Sequence, residues 1–396
     1  MKKDITIILL IIAALTVFPS SLLAQTDVEN SYDVDEIIND QLGKLDLTEI
    51  ERFISQIDHE LSTFTNEISM EKIIDSIKEG GLRLNIGDIF SSILKFIFKE
   101  FMTHSALLGK LIVLAIICAV LHNLQSSFHG SAVGKLAYGV TYLVLITLAI
   151  SSFTLAINMG KNTIEQMVTF VQALIPILLT MVAALGGFST AAFIHPFMMV
   201  ALAVITTIIK TLVFPLLYFY AALSIVSHIS EKFRVNQLAS LIKDVTMGIM
   251  MLCMTLFVGA LGFQGVTGIV ADSLTLRTAK FLAGSFIPVV GGMLADALEA
   301  LVGTSLLLTN AIGLFGVVVI IVISIFPMIE ILVLGIIYKL AGALVQPFGD
   351  SQIGEALQTM GKCINLVFAA VAAVALMFFI AVSIIIALGN VTVMMR

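Results

Sequence analysis

Four ionisable residues lie where this chain is otherwise membrane-like. Asp296 and Glu299 fall inside FIPVVGGMLADALEALVGTSLLLTNAIGLFG (Phe286–Gly316), a stretch long and apolar enough to cross a bilayer. Three residues apart, they share a face if the segment is helical. Glu330 stands alone in Thr304–Tyr338, and Lys210 alone in Pro196–Ile229. An acid at the bilayer centre costs roughly 2.5–3.5 kcal/mol on insertion scales, so each needs a counter-charge or a water-lined cavity. Two chemistries fit: a buried tether, with Lys210 (or Lys280) as counter-charge to the acids, or a hydrophilic path for an ion or solute. A third reading puts Asp296 and Glu299 in a loop or re-entrant turn, because Gly291-Gly292 precedes them. Thr304, Ser305, Thr309 and Asn310 extend the wettable strip.

Enzyme signatures are missing. The chain has no HExxH, GxSxG, EF-hand loop or dinucleotide-binding glycine pattern. Gly354–Lys362 resembles a phosphate loop only faintly, with wrong spacing and Cys363 in place of Ser or Thr. The six histidines are scattered singly, and no metal or cofactor site is read from the sequence. Cys118, Cys253 and Cys363 are far apart, in or beside apolar segments, and read as packing residues.

The elements that must position these residues are membrane helices. The 396 residues are 59% hydrophobic and 12% charged, with a mean hydropathy of +1.08, against about 25% charged in soluble domains. The fold class is therefore all-α, a polytopic membrane helix bundle. Apolar spans are expected at 106–125, 136–158, 167–187, 196–220, 245–263, 286–308, 310–337 and 365–388, eight in all. Two Phe-Pro pairs, at Pro215 and Pro327, fall within stretches too long for one crossing, so a break or strong tilt is expected there. The alanines of 369–375 let another helix approach closely, within the protein or in a homo-oligomer.

An internal echo organises the core. Ile175-Pro176 precedes Phe214-Pro215 by the same 39 residues that separate Pro288 from Pro327, at an offset of 112. Residues 136–228 and 248–340 are thereby expected to be repeats of three crossings each, and an odd unit must invert in the membrane. Inverted repeats carry the sites of many transporters at their interface.

Residues 1–24 read as a signal peptide, with Lys2 and Lys3 before an apolar run and Ala24 at the cleavage position. Residues 25–105 then form an exported acidic helical segment, with 17 Asp/Glu against 7 Lys/Arg. No basic patch exists to bind nucleic acid. Thr48–Glu51 has the form of a capping box. From there Ile50, Ile54, Ile57, Leu61, Phe64 and Ile68 trace one seam of 3.5-residue period, which suits packing on its own neighbours or docking of another chain. A second stripe, Ile86 to Phe101, flanked by Lys95 and Lys99, suits an interfacial or a connecting helix. The multi-pass domain occupies 106–396. Lys and Arg divide equally between the two sides, so loop charge does not orient it.

In length, order and the Phe286–Gly316 motif, the chain resembles the stage III sporulation protein AE family of endospore-forming bacteria. The stretch FPLLYFYAALSIVSHISEKFRVNQLASLIKDV strengthens the resemblance. It implies a subunit of the secretion-like channel complex between mother cell and forespore, in the mother-cell-derived membrane around the forespore, with the N-terminal segment on the intermembrane side. The partners implied are an ATPase, small membrane subunits and ring-forming proteins, and the role is late forespore development. No catalytic residues carry over. A secondary transporter built on inverted repeats and a non-conducting scaffold remain the other readings.

Overall fold

The computed structural model describes residues 86–127, 132–229, 235–286, 291–348 and 351–394; side chains at 86–90, 122–127, 132–135, 138, 228–229, 275–286, 291–301 and 351 are outside the description. The signal-like segment, the seam from Ile50 to Ile68 and Pro288 also lie outside the described residues. Those described are helical and contain no strand.

The order is α1 (Ile86–Thr103), α2 (Ser105–Ser127), α3 (Ala132–Ala184), α4 (Phe188–Ile208), a π segment (Ile209–Val213), α5 (Phe214–Ile229), α6 (Asn236–Phe286), α7 (Gly291–Val345), a short 3-10 turn (Gln346–Phe348) and α8 (Ser351–Met394). Among the described residues, five units are long and apolar enough to cross a membrane, and α1 with α2, bent by 45° at His104, makes a sixth if the pair is one span. The eight expected apolar stretches fall, where described, on these six units. The apolar stretches 136–158 and 167–187 are one continuous helix, α3, and 286–308 and 310–337 fall on α7. Lys161 falls in the expected connection between the two stretches, yet it and Glu165 find partners on neighbouring elements and the helix runs on. At 1.5 Å per residue the 53 residues of α3 extend about 80 Å, well past a core of about 30 Å.

The expected three-crossing repeats are not reproduced. Each falls on two long helical units, and the chain reversal at 185–187 has its 112-residue counterpart at 297–299, inside α7. None of the described prolines among these pairs ends a helix outright. Pro176 and Pro327 lie within uninterrupted helices. At Pro215 the chain adjusts by widening: Pro215 cannot donate to Thr211 and its ring crowds that carbonyl, and the π turn directly precedes it.

Helices α3, α7 and α8 form the centre, and α7 with α8 is the most extensive pairing. Glycine sets that closeness. A Cβ on Gly361 would lie 2.8 Å from the Gly335 carbonyl oxygen, and one on Gly342 would lie 2.7 Å from that of Gly354. The two pairs are seven residues apart on each helix, two turns, so the backbones touch along one line. Tyr338 of α7, fully buried, reaches Ser152 Oγ (2.9 Å) and the Leu148 carbonyl (3.1 Å) on α3. Cys118, Cys253 and Cys363 are buried and form no disulfide, in keeping with packing roles.

Candidate functional site

Among the described residues, three polar clusters lie where helices end, widen or bend.

The first closes the turn between α3 and α4. The Gly187 amide donates to the Val182 carbonyl (2.9 Å) and the Gly186 amide to that of Ala183 (2.8 Å), while Gly186 has φ 92°. This is the Schellman ending, with glycine at the left-handed position that other residues resist. Gly187 then occupies the N-cap of α4 but has no side chain to accept from the first amides. Asp272 of α6 supplies the acceptor. Its carboxylate receives the amides of Ser189 (2.7 Å) and Thr190 (3.0 Å) and the Thr190 hydroxyl (2.6 Å). With 2% exposure the charge is held by three donors and the positive end of the α4 dipole. Gly268, one turn earlier, permits the approach, since a Cβ there would lie 2.6 Å from Thr190 Cα.

The second cluster surrounds the π segment. Lys210 Nζ is 2.5 Å from Glu165 Oε1 of α3, with side-chain exposures of 33% and 53%. One turn before Glu165, Lys161 Nζ lies 5.8 Å from the centroid of the Phe214 ring. Among the described residues the partner of Lys210 is thus Glu165, a residue the sequence reading passed over. Asp296 and Glu299 occupy the first turns of α7, so their backbone is helical and not a loop; their side chains fall outside the description.

The third cluster is at the α1–α2 elbow. Thr103 and Ser105 hydroxyls bond back to the carbonyls of Lys99 (3.0 Å) and Met102 (2.7 Å), and the His104 carbonyl accepts from Leu107 (3.0 Å). His104 Nε2 then lies 3.2 Å from Glu100 Oε1 and 3.9 Å from Glu330 Oε1 of α7. Phe96 stacks edge-on against Phe326 (5.1 Å), fixing α1 to α7 one turn away. Ile93, Ile97 and Phe101 pack on the core, whereas Leu94, Phe98 and Met102 are exposed, so α1 is apolar on two sides.

Of the singled-out residues, Lys210, Pro215 and Glu330 join clusters; Pro176 is exposed within α3, and Pro327 lies one turn before Glu330. Sequence reasoning missed Asp272, Glu165, Glu100 and His104. The usable signals were Gly268 four residues before Asp272, a spacing that places both on one face, and the same spacing of Glu100 and His104.

Comparison with known proteins adds a family. Residues 68–389 match the family described as Stage III sporulation protein AE. The chain is similar to Stage III sporulation protein AE of Bacillus subtilis (strain 168), 42% identical over 305 residues that cover 77% of this chain and 76% of that protein. No solved structure matches.

Proposed function

The chain belongs to the stage III sporulation protein AE family, and on that footing we propose that this sporulation-related membrane protein serves as a multi-pass subunit of the secretion-like channel complex joining mother cell and forespore. The single observation that carries the reading is the extent of the family match, which runs from before α1 to the last turns of α8 and so includes every described helix. The proposed partners are the ATPase, the small membrane subunits and the ring-forming proteins of that complex. The proposed place is the mother-cell-derived membrane around the forespore. Residues 25–105 would face the intermembrane side and offer the Ile50–Ile68 seam, and Asp296 with Glu299 would line the protein interior as a path or a tether.

The described geometry favours a subunit over a free-standing transporter. The transporter reading drew on inverted three-crossing units, and the two long helical units found in each half give it no support. The test is a deletion in an endospore-forming host, complemented by the tagged chain and read by a late forespore-specific reporter and by co-purification with the ATPase. Loss of reporter activity on deletion, restored with co-purification on complementation, is the expected result. Full reporter activity in the deletion strain, or a complementing chain that recovers no complex member, would sink the proposal.

A further inference from the structure

We infer that Glu100, His104 and Glu330 form a binding site for a divalent transition-metal cation, zinc fitting best, which pins the α1–α2 elbow to α7. Among the described residues they are the only group whose ligand atoms converge this closely, all lying within 4.8 Å of one another. Glu100 and His104 are one turn apart at the end of α1, so one helix face presents both; Glu330 approaches from α7.

Four physical points converge on a cation. Tetrahedral zinc with ligands at about 2.0–2.2 Å sets its donor atoms about 3.3–3.6 Å apart. The two separations from His104 Nε2, 3.2 and 3.9 Å, bracket that range. Second, His104 Nε2 is buried and makes no hydrogen bond, although a carboxylate oxygen lies 3.2 Å away. Buried polar atoms are nearly always satisfied, so this one calls for a partner. Third, two carboxylates converging beside apolar helices repel each other and lose solvation. A divalent cation with two carboxylates and a neutral imidazole is uncharged overall, which an apolar setting tolerates. Fourth, the donor set selects the metal: one imidazole disfavours magnesium and calcium, and the absence of thiolate from the trio disfavours copper(I). The partial exposure of Glu330 leaves room for water as a fourth ligand.

The mechanical consequence is local. The cation would join the last turn of α1 to α7 at the residue one turn past Pro327, beside the Phe96–Phe326 contact. It would thereby fix the 45° elbow.

The test uses the full chain purified in detergent, stripped with a chelator and reloaded with zinc ion alone. The expected result is about one zinc per chain by mass spectrometry, with affinity reduced at least tenfold by Glu330→Gln and by His104→Gln. A wild-type chain that retains no stoichiometric zinc, or variants that retain it equally, would overturn the inference. Should either variant fail to fold, the zinc-edge absorption spectrum of the wild-type chain decides. A shell of oxygen with one imidazole supports the site; a sulfur ligand places the metal at a cysteine and overturns it.

Discussion

Helices α6 and α8 are both long and apolar, yet they live in different surroundings. In α8, 61% of the apolar stretch is buried; in α6, 28% is. Their glycines show why. Gly354 and Gly361 of α8 lie against the backbone of α7, and a Cβ on Gly361 would strike it. Gly248, Gly259 and Gly262 of α6 have nothing within 4 Å of where a Cβ would stand. A buried face that includes Ala239, Phe257 and Leu261 packs on neighbouring helices, and a Cβ at Gly265 or Gly268 would strike them, but Met251, Leu252, Leu256 and Phe263 are exposed. In water such exposure would mark an error or an interface. In a bilayer lipid solvates the apolar side chain as well as a neighbouring helix does, so packing is decided by small residues and polar bonds.

The largest effect expected from this contrast is steric. Gly361→Leu or Gly335→Leu must separate α7 from α8 along their whole line of contact, and overpacking of this kind costs about 1–3 kcal/mol, here at the upper end. Both variants should lose most of their folded protein in a detergent thermal-stability assay. Gly259→Leu, the same substitution on the open face of α6, should leave the midpoint within a degree or two of wild type. Equal losses from the two helices would erase the distinction.

Second in size is the anchored end of α6. Asp272→Ala removes the acceptor of three donors at the start of α4. One unsatisfied buried donor costs about 1–3 kcal/mol and a lost N-cap about 0.5–2 kcal/mol, so destabilisation near 2 kcal/mol or more is expected. Asp272→Asn keeps one acceptor oxygen and should lie between. An unchanged unfolding midpoint in Asp272→Ala would show that α6 is not held by this cap.

These two sites also mark what a reader of the sequence alone can see. Helix class, membrane character and the apolar stretches are legible because they depend on local composition. The continuity of α3 is not. Lys161 falls in an expected connection until Phe214 and Lys210 are brought beside it and Glu165. The cap by Asp272 joins residues more than 80 positions apart, and nothing near Gly187 reveals where its missing acceptor comes from. Glu330 was visible as an intramembrane acid, but its companions lie at the end of another helix. Of the two Phe-Pro pairs, Pro215 follows a π turn and Pro327 lies within a continuous helix, so neither ends its helix outright.

A smaller effect is expected from the Glu165–Lys210 pair, which belongs to neither extreme. Both side chains are more than about a third exposed or nearly so, and exposed ion pairs contribute about 0–1 kcal/mol. Lys210→Met should therefore shift stability by less than about 1 kcal/mol. The exchanged pair, Glu165→Lys with Lys210→Glu, should recover whatever the single change loses. A loss as large as that of Asp272→Ala would mean that lipid or a partner shields the pair from water.

The smallest effect sharpens the comparison most. Gly248 and Gly259 are eleven residues apart, three turns, so they share one face of α6 with Leu252 and Leu256. Glycine within a helix is less stable than alanine by about 0.5–1 kcal/mol, and no neighbour in the chain would resist the added methyl group. Gly248→Ala with Gly259→Ala should thus leave the isolated chain equal to or slightly more stable than wild type. The same reasoning splits lipid from protein as the covering of this face. If lipid covers it, the bulkier Gly248→Leu with Gly259→Leu should preserve both chain level and recovery of the proposed complex. If another subunit packs there, the leucines should cut co-purification while the isolated chain keeps its unfolding midpoint, because the clash would arise only in the assembly. A fall in the midpoint of the isolated leucine variant would refute the open face itself, and with it the contrast between α6 and α8.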